Sequence, residues 1–82
     1  MSFENLLIAQ GEPPDIVDET GAPAVTYLGW VLPGTVATNQ PNFKIKRITN
    51  AAAITITTWA DGDTEFNNIW DNRAALVYSF LK

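Results

Sequence analysis

An all-β domain is the fold class that the sequence predicts: a small antiparallel sandwich or open barrel of about four to five strands, with an extended N-terminal arm. Short runs of β-branched and aromatic residues recur from residue 26 onward, and turn residues separate them. The first 25 residues instead carry helix and strand breakers. Because 82 residues suffice for one small core, we predict an arm over residues 1–25 and a compact β domain over residues 26–82.

The N-terminal arm is predicted from its charge and its prolines. Residues 1–25 contain five carboxylates and no Lys or Arg, a net charge of −5, while the whole chain carries −4. Pro13 and Pro14 interrupt regular hydrogen bonding. The apolar residues of the arm are Phe3, Leu6, Leu7 and Ile8. They are too apolar for a terminal segment that makes no contacts, so we expect the arm to lie on a partner subunit. A frayed end, or a short helix over residues 2–10, is the alternative.

The first two strands are predicted from alternation and from turn residues. Thr26–Leu32 precedes the turn dipeptide Pro33-Gly34, which predicts that a strand ends there. Phe43–Thr49 begins with strict alternation of apolar and basic residues, and the alternation slips at Arg47-Ile48. The slip predicts a bulge or a strand that changes faces.

The later strands follow the same reasoning. Ala53–Trp59 alternates again, and the short connection at residues 50–52 predicts an antiparallel hairpin with the preceding strand. Ala74–Leu81 is apolar on both parities; its β-type residues favour a buried strand over a helix. Residues 36–42 and 61–73 are the predicted loops, the second with room for one helical turn.

The residue inventory excludes several kinds of chemistry. The chain has no His and no Cys, so a His-based acid–base pair, a thiol nucleophile and a His or Cys zinc site are excluded within one chain. We predict no enzyme activity and assign no catalytic, cofactor-binding or metal-binding residue. The longest apolar runs fall short of the roughly 20 residues of a membrane span, and the N-terminus lacks the basic region of a signal peptide. Neither membrane insertion nor secretion is therefore predicted.

An acidic loop and a basic strand are the charged groups that could carry a function. Asp61, Asp63 and Glu65 occupy alternate positions, as the ligands of a cation can. A solvated turn that is capped by its own Asp side chains fits the same residues. A carboxylate hydrolase site is the weakest of the three interpretations. Lys44, Lys46 and Arg47 predict a compact basic spot that receives an acidic arm, its own or a neighbour's, with an ordinary solvated strand as the alternative. Three basic residues on an acidic chain do not predict specific nucleic-acid binding.

Three Trp residues are a high load for 82 residues. We predict that Trp59 and Trp70 belong to the core, and that Trp30 is available for an interface or for stacking on sugar rings. Arg73 is predicted to form a latch with Asp71 or with a loop carbonyl. The predicted interface residues are Phe3, Leu6, Leu7, Ile8, Trp30, Lys44, Lys46 and Arg47.

A resemblance to a known group of proteins spans residues 27–78. The residues that carry it are Tyr27-Leu28-Gly29, Pro33-Gly34-Thr35, Phe43-Lys44-Ile45-Lys46-Arg47-Ile48, Trp59-Ala60-Asp61-Gly62, Phe66, Trp70, Asp71, Arg73, Leu76 and Tyr78. Their order resembles that of small virion-structural proteins of tailed bacteriophages and their prophage relatives. Phe43 stands where Trp is more common in that pattern, and the acidic arm lies outside it. The resemblance implies a component of the phage particle and supplies no catalytic residue.

The expected function follows from the resemblance, the inventory and the arm. We expect a non-enzymatic virion structural protein, a capsid decoration or cement subunit that stabilises the particle through subunit contacts. The alternative is a tail, baseplate or fibre-associated module that binds host glycans or connects tail components. The expected partners are other copies of the chain and virion proteins such as the major capsid protein, with no membrane and no cofactor. The expected location is the virion, assembled in the host cytoplasm.

Overall fold

Within residues 13–81, five β-strands form a single antiparallel sheet, in which the strand order follows the chain order. The structure is a computed structural model, and it describes residues 13–81. The strands are β1 (Ile16–Asp18), β2 (Val25–Val31), β3 (Phe43–Ala51), β4 (Ile54–Ala60) and β5 (Tyr78–Ser79). A 3₁₀ helix, Trp70–Ala75, lies between β4 and β5. The predicted all-β antiparallel class with four to five strands is confirmed.

The central strands agree closely with the sequence pattern. The predicted hairpin is present, since β3 and β4 pair from Lys46–Trp59 to Ala51–Ile54 around a two-residue turn. The predicted bulge at Arg47-Ile48 is wrong, because β3 keeps one unbroken register with both neighbours. Alternation slips in the sequence because both faces of β3 contain buried apolar side chains, so polarity does not mark the faces.

The segment predicted as the arm contains the first strand of the sheet. β1 pairs with β2 from Ile16–Gly29 to Asp18–Tyr27. The Asp15 carboxylate accepts a 2.9 Å hydrogen bond from the backbone N–H of Val31. These residues therefore belong to the compact domain. The predicted arm contacts of Phe3, Leu6, Leu7 and Ile8 lie outside the described residues.

The last apolar run is mostly not a strand. Its first residues, Ala74 and Ala75, complete the 3₁₀ helix, and only Tyr78–Ser79 pairs with β4. The Tyr78 hydroxyl donates a 2.8 Å hydrogen bond to the Arg73 carbonyl oxygen, which connects β5 to the helix. The helical turn expected in the loop is present, shifted to its C-terminal end. Within residues 13–81 no helix is long and apolar enough to cross a membrane.

The sheet has a buried cluster on each face. One cluster, on the face called here the Trp70 face, consists of Phe43, Ile45, Ala60 and Trp70. The other, on the Trp30 face, consists of Leu28, Trp30 and Ile48, with Trp59 and Phe66 packed against it. A single thin sheet thus uses both of its surfaces for packing, which explains why the apolar pattern is dense.

Gly29 brings the Trp70 ring onto the backbone of β2. A Cβ atom at Gly29 would lie 2.7 Å from Cζ3 of Trp70 and 2.7 Å from Cγ2 of Ile16. Real Cβ contacts are essentially never shorter than 3.0 Å. The position therefore requires glycine for close approach of the ring.

Candidate interaction surface

The three basic residues of β3 do not form one spot. Lys44 and Lys46 project from the Trp30 face, and Arg47, one residue further, projects from the opposite face. The predicted compact basic spot is therefore wrong. Alternation along an unbroken strand separates Lys46 from Arg47, although the two residues are adjacent in sequence.

Lys44 and Lys46 lie among the aromatic rings of the Trp30 face. The Lys44 ammonium is 5.0 Å from the ring centroid of Trp30 and 5.2 Å from that of Phe66. The Lys46 ammonium is 4.9 Å from the ring centroid of Trp59. Burial, and then the neighbouring charge of Lys44, lowers the pKa of Lys46 below its usual value. These distances place both ammonium groups within reach of cation–π attraction, so the lysines are part of the packing.

Trp30 is a core residue. Its side chain is 6% exposed, and its ring stacks on that of Trp59 with centroids 5.8 Å apart. This burial leaves little of the Trp30 ring for stacking on sugar rings, and its predicted part in an interface stays a prediction. The core prediction is confirmed for Trp70, which is 4% exposed, whereas Trp59 is half-buried against the Trp30 cluster.

Arg47 contacts Tyr78 on the Trp70 face. Its guanidinium carbon lies 4.4 Å from the Tyr78 ring centroid. Its Nε atom is buried and has no hydrogen-bond partner among residues 13–81. Burial, followed by the neighbouring Tyr27, raises the pKa of the Tyr78 hydroxyl above its usual value. Arg47 is thus held by stacking over an aromatic ring, between β3 and β5.

Arg73 forms the predicted latch with a different acid. Its Nε atom donates a 2.8 Å hydrogen bond to the Asp18 carboxylate in β1, and its Nη1 atom donates to the Trp70 carbonyl oxygen at 3.1 Å. The carbonyl contact is confirmed and the Asp71 pairing is wrong, since Asp71 accepts a hydrogen bond from the Thr38 hydroxyl. Hydrogen bonds from Thr20, and then the one from Arg73, lower the pKa of Asp18 to about 2. The latch connects the 3₁₀ helix to the first strand.

The acidic loop after β4 is a tight turn. Asp61 adopts a φ of 62° and Gly62 a φ of 68°, and the Gly62 N–H donates to the Trp59 carbonyl oxygen at 3.0 Å. The Asp63 carboxylate accepts a 3.0 Å hydrogen bond from the Glu65 N–H. This is the turn capped by its own Asp side chain. Within residues 13–81 no group of three or more carboxylates converges on a point that could hold a metal ion.

Several exposed apolar side chains lie in β4 and on either side of β5. This set, called here the apolar rim, consists of Ile54, Ile56, Val77, Phe80 and Leu81, which are 36–76% exposed. β5 pairs with the last two residues of β4, and along residues 54–58 β3 is the one strand partner of β4 within residues 13–81. Exposed apolar side chains of this size are typical of an interaction surface.

The sequence interpretation misses the apolar rim. Its signal is present in the uncharged run Ile54–Thr58, which follows a hairpin and precedes a loop. The pattern assigns the run to a strand, but the exposure of its two Ile side chains and the shortness of β5 are visible only in the fold. Comparison with protein-family models, curated proteins and solved structures finds no match. The likeness to tailed-phage proteins stays a prediction from its motifs.

Proposed function

We propose that the chain is a non-enzymatic structural protein of a tailed-bacteriophage virion, a capsid decoration or cement subunit that acts through contacts with neighbouring subunits. The observation that carries the proposal is the apolar rim. Val77, Phe80 and Leu81 are 56–76% exposed although they are large and apolar. Covering such side chains contributes roughly 25 cal/mol per Å² of apolar surface removed from water. When the protein docks onto a particle, the surface of the particle covers these side chains.

The motifs of the phage resemblance support the proposal because several of them have structural roles in this fold. Gly29 and Trp70 form a close approach that a Cβ would block, and Arg73 forms the latch to Asp18. The Tyr78 hydroxyl donates a hydrogen bond to the Arg73 carbonyl oxygen and so connects β5 to the 3₁₀ helix. Residues that build a rigid scaffold, with function left to the surface, are consistent with a structural subunit.

The alternative of a tail or fibre module that stacks on host glycans is less favoured. Stacking on sugars needs an accessible aromatic face. Trp30 and Trp70 are only 6% and 4% exposed, so neither of these two residues offers such a face. A tail component that connects other virion proteins through the apolar rim would differ from a capsid subunit in copy number.

The test of the proposal is the copy number of the chain in purified virions, measured by quantitative mass spectrometry against the major capsid protein. We expect hundreds of copies, as a subunit on the capsid lattice requires. A handful of copies, in threes or sixes, would move the protein to the neck or tail. Complete absence from the particle would refute the proposal.

A rebinding experiment identifies the surface used. Particles stripped of the protein are mixed with purified chain, and the bound fraction is measured after sedimentation. We expect Phe80→Lys to reduce binding at least tenfold, because Phe80 belongs to the apolar rim and is 69% exposed. Val36→Lys is the matched control, since Val36 is 88% exposed but lies in the loop between β2 and β3. Equal binding by both variants would exclude the rim as the docking surface.

A further inference from the structure

The Trp30 face is buried more deeply than the described part of the chain accounts for. Leu28 lies in the middle of this face and is 0% exposed, and Lys46, its partner in β3, is 6% exposed. In the described part of the chain, Phe66 is the one partly buried apolar side chain that packs on this cluster from outside the sheet. Its ring centroid lies 5.2 Å from the ammonium of Lys44, which pairs with Trp30 and not with Leu28. One phenyl ring at that position does not cover the middle of the face.

The Trp70 face, by contrast, has a cover in the described part of the chain. The 3₁₀ helix contributes the ring of Trp70, and Leu76 and Tyr78 pack against the same cluster. This is the one helix of the described residues, and its Trp70 packs on the side of the sheet away from Leu28. A sheet that is apolar on both faces has to bury both. Residues 1–12, which precede the described part, are the longest segment left to cover the Trp30 face.

Lys44 and Lys46 bring two positive charges to the Trp30 face. Each ammonium group lies 4.9–5.9 Å from the ring centroids of Trp30 and Trp59. No carboxylate of the described residues forms an ion pair with Lys44. Burial, and then the charge of Lys44, lowers the pKa of Lys46, so the positive charge is disfavoured at this position. The face therefore suits an acidic segment that also carries apolar side chains.

We propose that residues 1–12 of the same chain dock on the Trp30 face, with the Glu4 carboxylate beside the ammonium groups of Lys44 and Lys46. The segment contains Glu4 and Glu12 and no basic residue, so its charge is opposite to that of the face. Glu12 stands between Gly11 and a proline, whereas large apolar residues surround Glu4. These apolar residues are Phe3, Leu6, Leu7 and Ile8. They supply the apolar surface that the middle of the face requires.

The segment is long enough to reach this position. The Asp15 N–H donates a 2.8 Å hydrogen bond to the Gly29 carbonyl oxygen, so the described chain begins beside β2. Glu4 precedes Pro13 by nine positions, and nine residues span at most about 30 Å. The distance across the face from β1 to β4 is three strand spacings, about 14 Å. A path from Pro13 across the face to Lys44 therefore leaves chain to spare.

The occupant is the chain's own segment because the burial of Leu28 and Lys46 is reached within a single chain. A segment that is tethered beside the face also has a high effective concentration there. The same-chain contact leaves the apolar rim as the surface for a partner. The inference goes beyond the proposed function and does not depend on it, since it concerns one chain and can be tested on the purified protein.

The first test is zero-length cross-linking of the full chain. A carbodiimide joins a carboxylate to a neighbouring amine as an amide and takes up the released water as a urea. We expect the cross-links of Glu4 to Lys44 or Lys46 to be at least tenfold more abundant than those of Glu12, measured by mass spectrometry of the peptides. In a mixture with ¹⁵N-labelled chain, these cross-links should join peptides of the same isotope.

The second test is hydrogen exchange of the indole N–H groups, measured by NMR. Glu4→Lys places a third positive charge at the face, so exchange at Trp30 and Trp59 should become at least tenfold faster. Glu12→Lys is the matched control, because it makes the same change of charge in the same segment, and it should leave both rates unchanged. Trp70 is the internal reference, since it lies on the opposite face and should keep its rate in both variants.

Three outcomes would overturn the inference: no cross-link from Glu4 to either lysine, cross-links mainly between isotopes, or equal indole exchange in Glu4→Lys and Glu12→Lys. Cross-links between isotopes would mean that neighbouring copies exchange their N-terminal segments. The copy number in virions is independent of all three results, so this inference and the proposed function can fail separately.

Discussion

The close approach of Trp70 to Gly29 predicts that Gly29→Ala destabilises the domain. The new methyl group would lie 2.7–2.8 Å from two atoms of the Trp70 ring and 2.7 Å from Ile16. Ordinary carbon–carbon contacts are about 3.5–4.0 Å, so the ring and Ile16 must together yield about 1 Å. Neither can do so without disturbing the cluster on the Trp70 face, where Trp70 is 4% exposed.

The magnitude follows from two opposing contributions. Overpacking of a core costs about 1–3 kcal/mol, and the contact is tight on both sides of Gly29, which favours the upper part of that range. Replacing glycine within a strand returns about 0.5–1 kcal/mol, because the unfolded chain loses freedom. The free energy of unfolding should fall by about 2 kcal/mol. For a domain of this size the melting temperature should fall by roughly 8–16 °C.

The assay is chemical denaturation followed by circular dichroism, with Gly34→Ala as the matched control. Gly34 has a φ of +88°, and a Cβ atom added there would have no neighbour within 4 Å, so its substitution reports backbone strain without a clash. We expect Gly34→Ala to cost about 1 kcal/mol. Gly29→Ala instead reports the clash of the added methyl group with Trp70 and Ile16.

A double-mutant cycle tests the mechanism. In a Trp70→Leu background, two of the three closest contacts of the added methyl group disappear, so the cost of Gly29→Ala should fall by at least half. The reasoning is refuted if Gly29→Ala changes the free energy of unfolding by less than about 0.5 kcal/mol, or if its cost is the same in both backgrounds.

Two further predictions concern the latch and the Trp30 face. The pKa of Asp18 is about 2 in the folded chain and 3.8 for the free group, so Asp18 contributes stability that is present above about pH 4 and is lost as the pH falls toward 2. Asp18→Asn should therefore weaken the dependence of the free energy of unfolding on acid pH. Asp71→Asn leaves the pair of Asp18 with Arg73 intact and should keep that dependence. Identical acid profiles for the two variants would contradict the assignment of the acid dependence to Asp18. Trp30→Ala should lower the free energy of unfolding by about 3–5 kcal/mol. The Trp fluorescence of the unsubstituted chain should not change when host polysaccharide is added. Saturable quenching of that fluorescence would instead support glycan binding.

The sequence predicts the central strands because their signals are local. Alternation in Phe43–Thr49 and Ala53–Trp59, with a short connection, is enough to predict an antiparallel hairpin, and its register follows from the two-residue turn. The end of β2 is marked by Pro33-Gly34. β1 is not predicted, since three residues among prolines carry too weak a pattern, and pairing with β2 gives the strand its backbone partners.

The candidate site is predicted less well, because a site depends on which face and which edge a residue occupies. Lys46 and Arg47 are neighbours in sequence and lie on opposite faces of β3. Arg73 has an acid two residues away in sequence, yet it pairs with Asp18, 55 residues distant. Contacts between residues so far apart in the sequence depend on which strands and loops the fold brings together.

Residue types and their local spacing are enough to predict the all-β class and the hairpin at the centre of the sheet, and to exclude His- and Cys-based chemistry within the chain. Those properties depend on residue type and on spacing within a few residues. Only the folded chain shows that Trp30 is buried, that Gly29 lies against Trp70, and that Ile54 and Ile56 are exposed. Burial and exposure depend on where distant segments of the chain lie, and β5 ends at Ser79, before the exposed Phe80 and Leu81 of the surface from which the function is proposed.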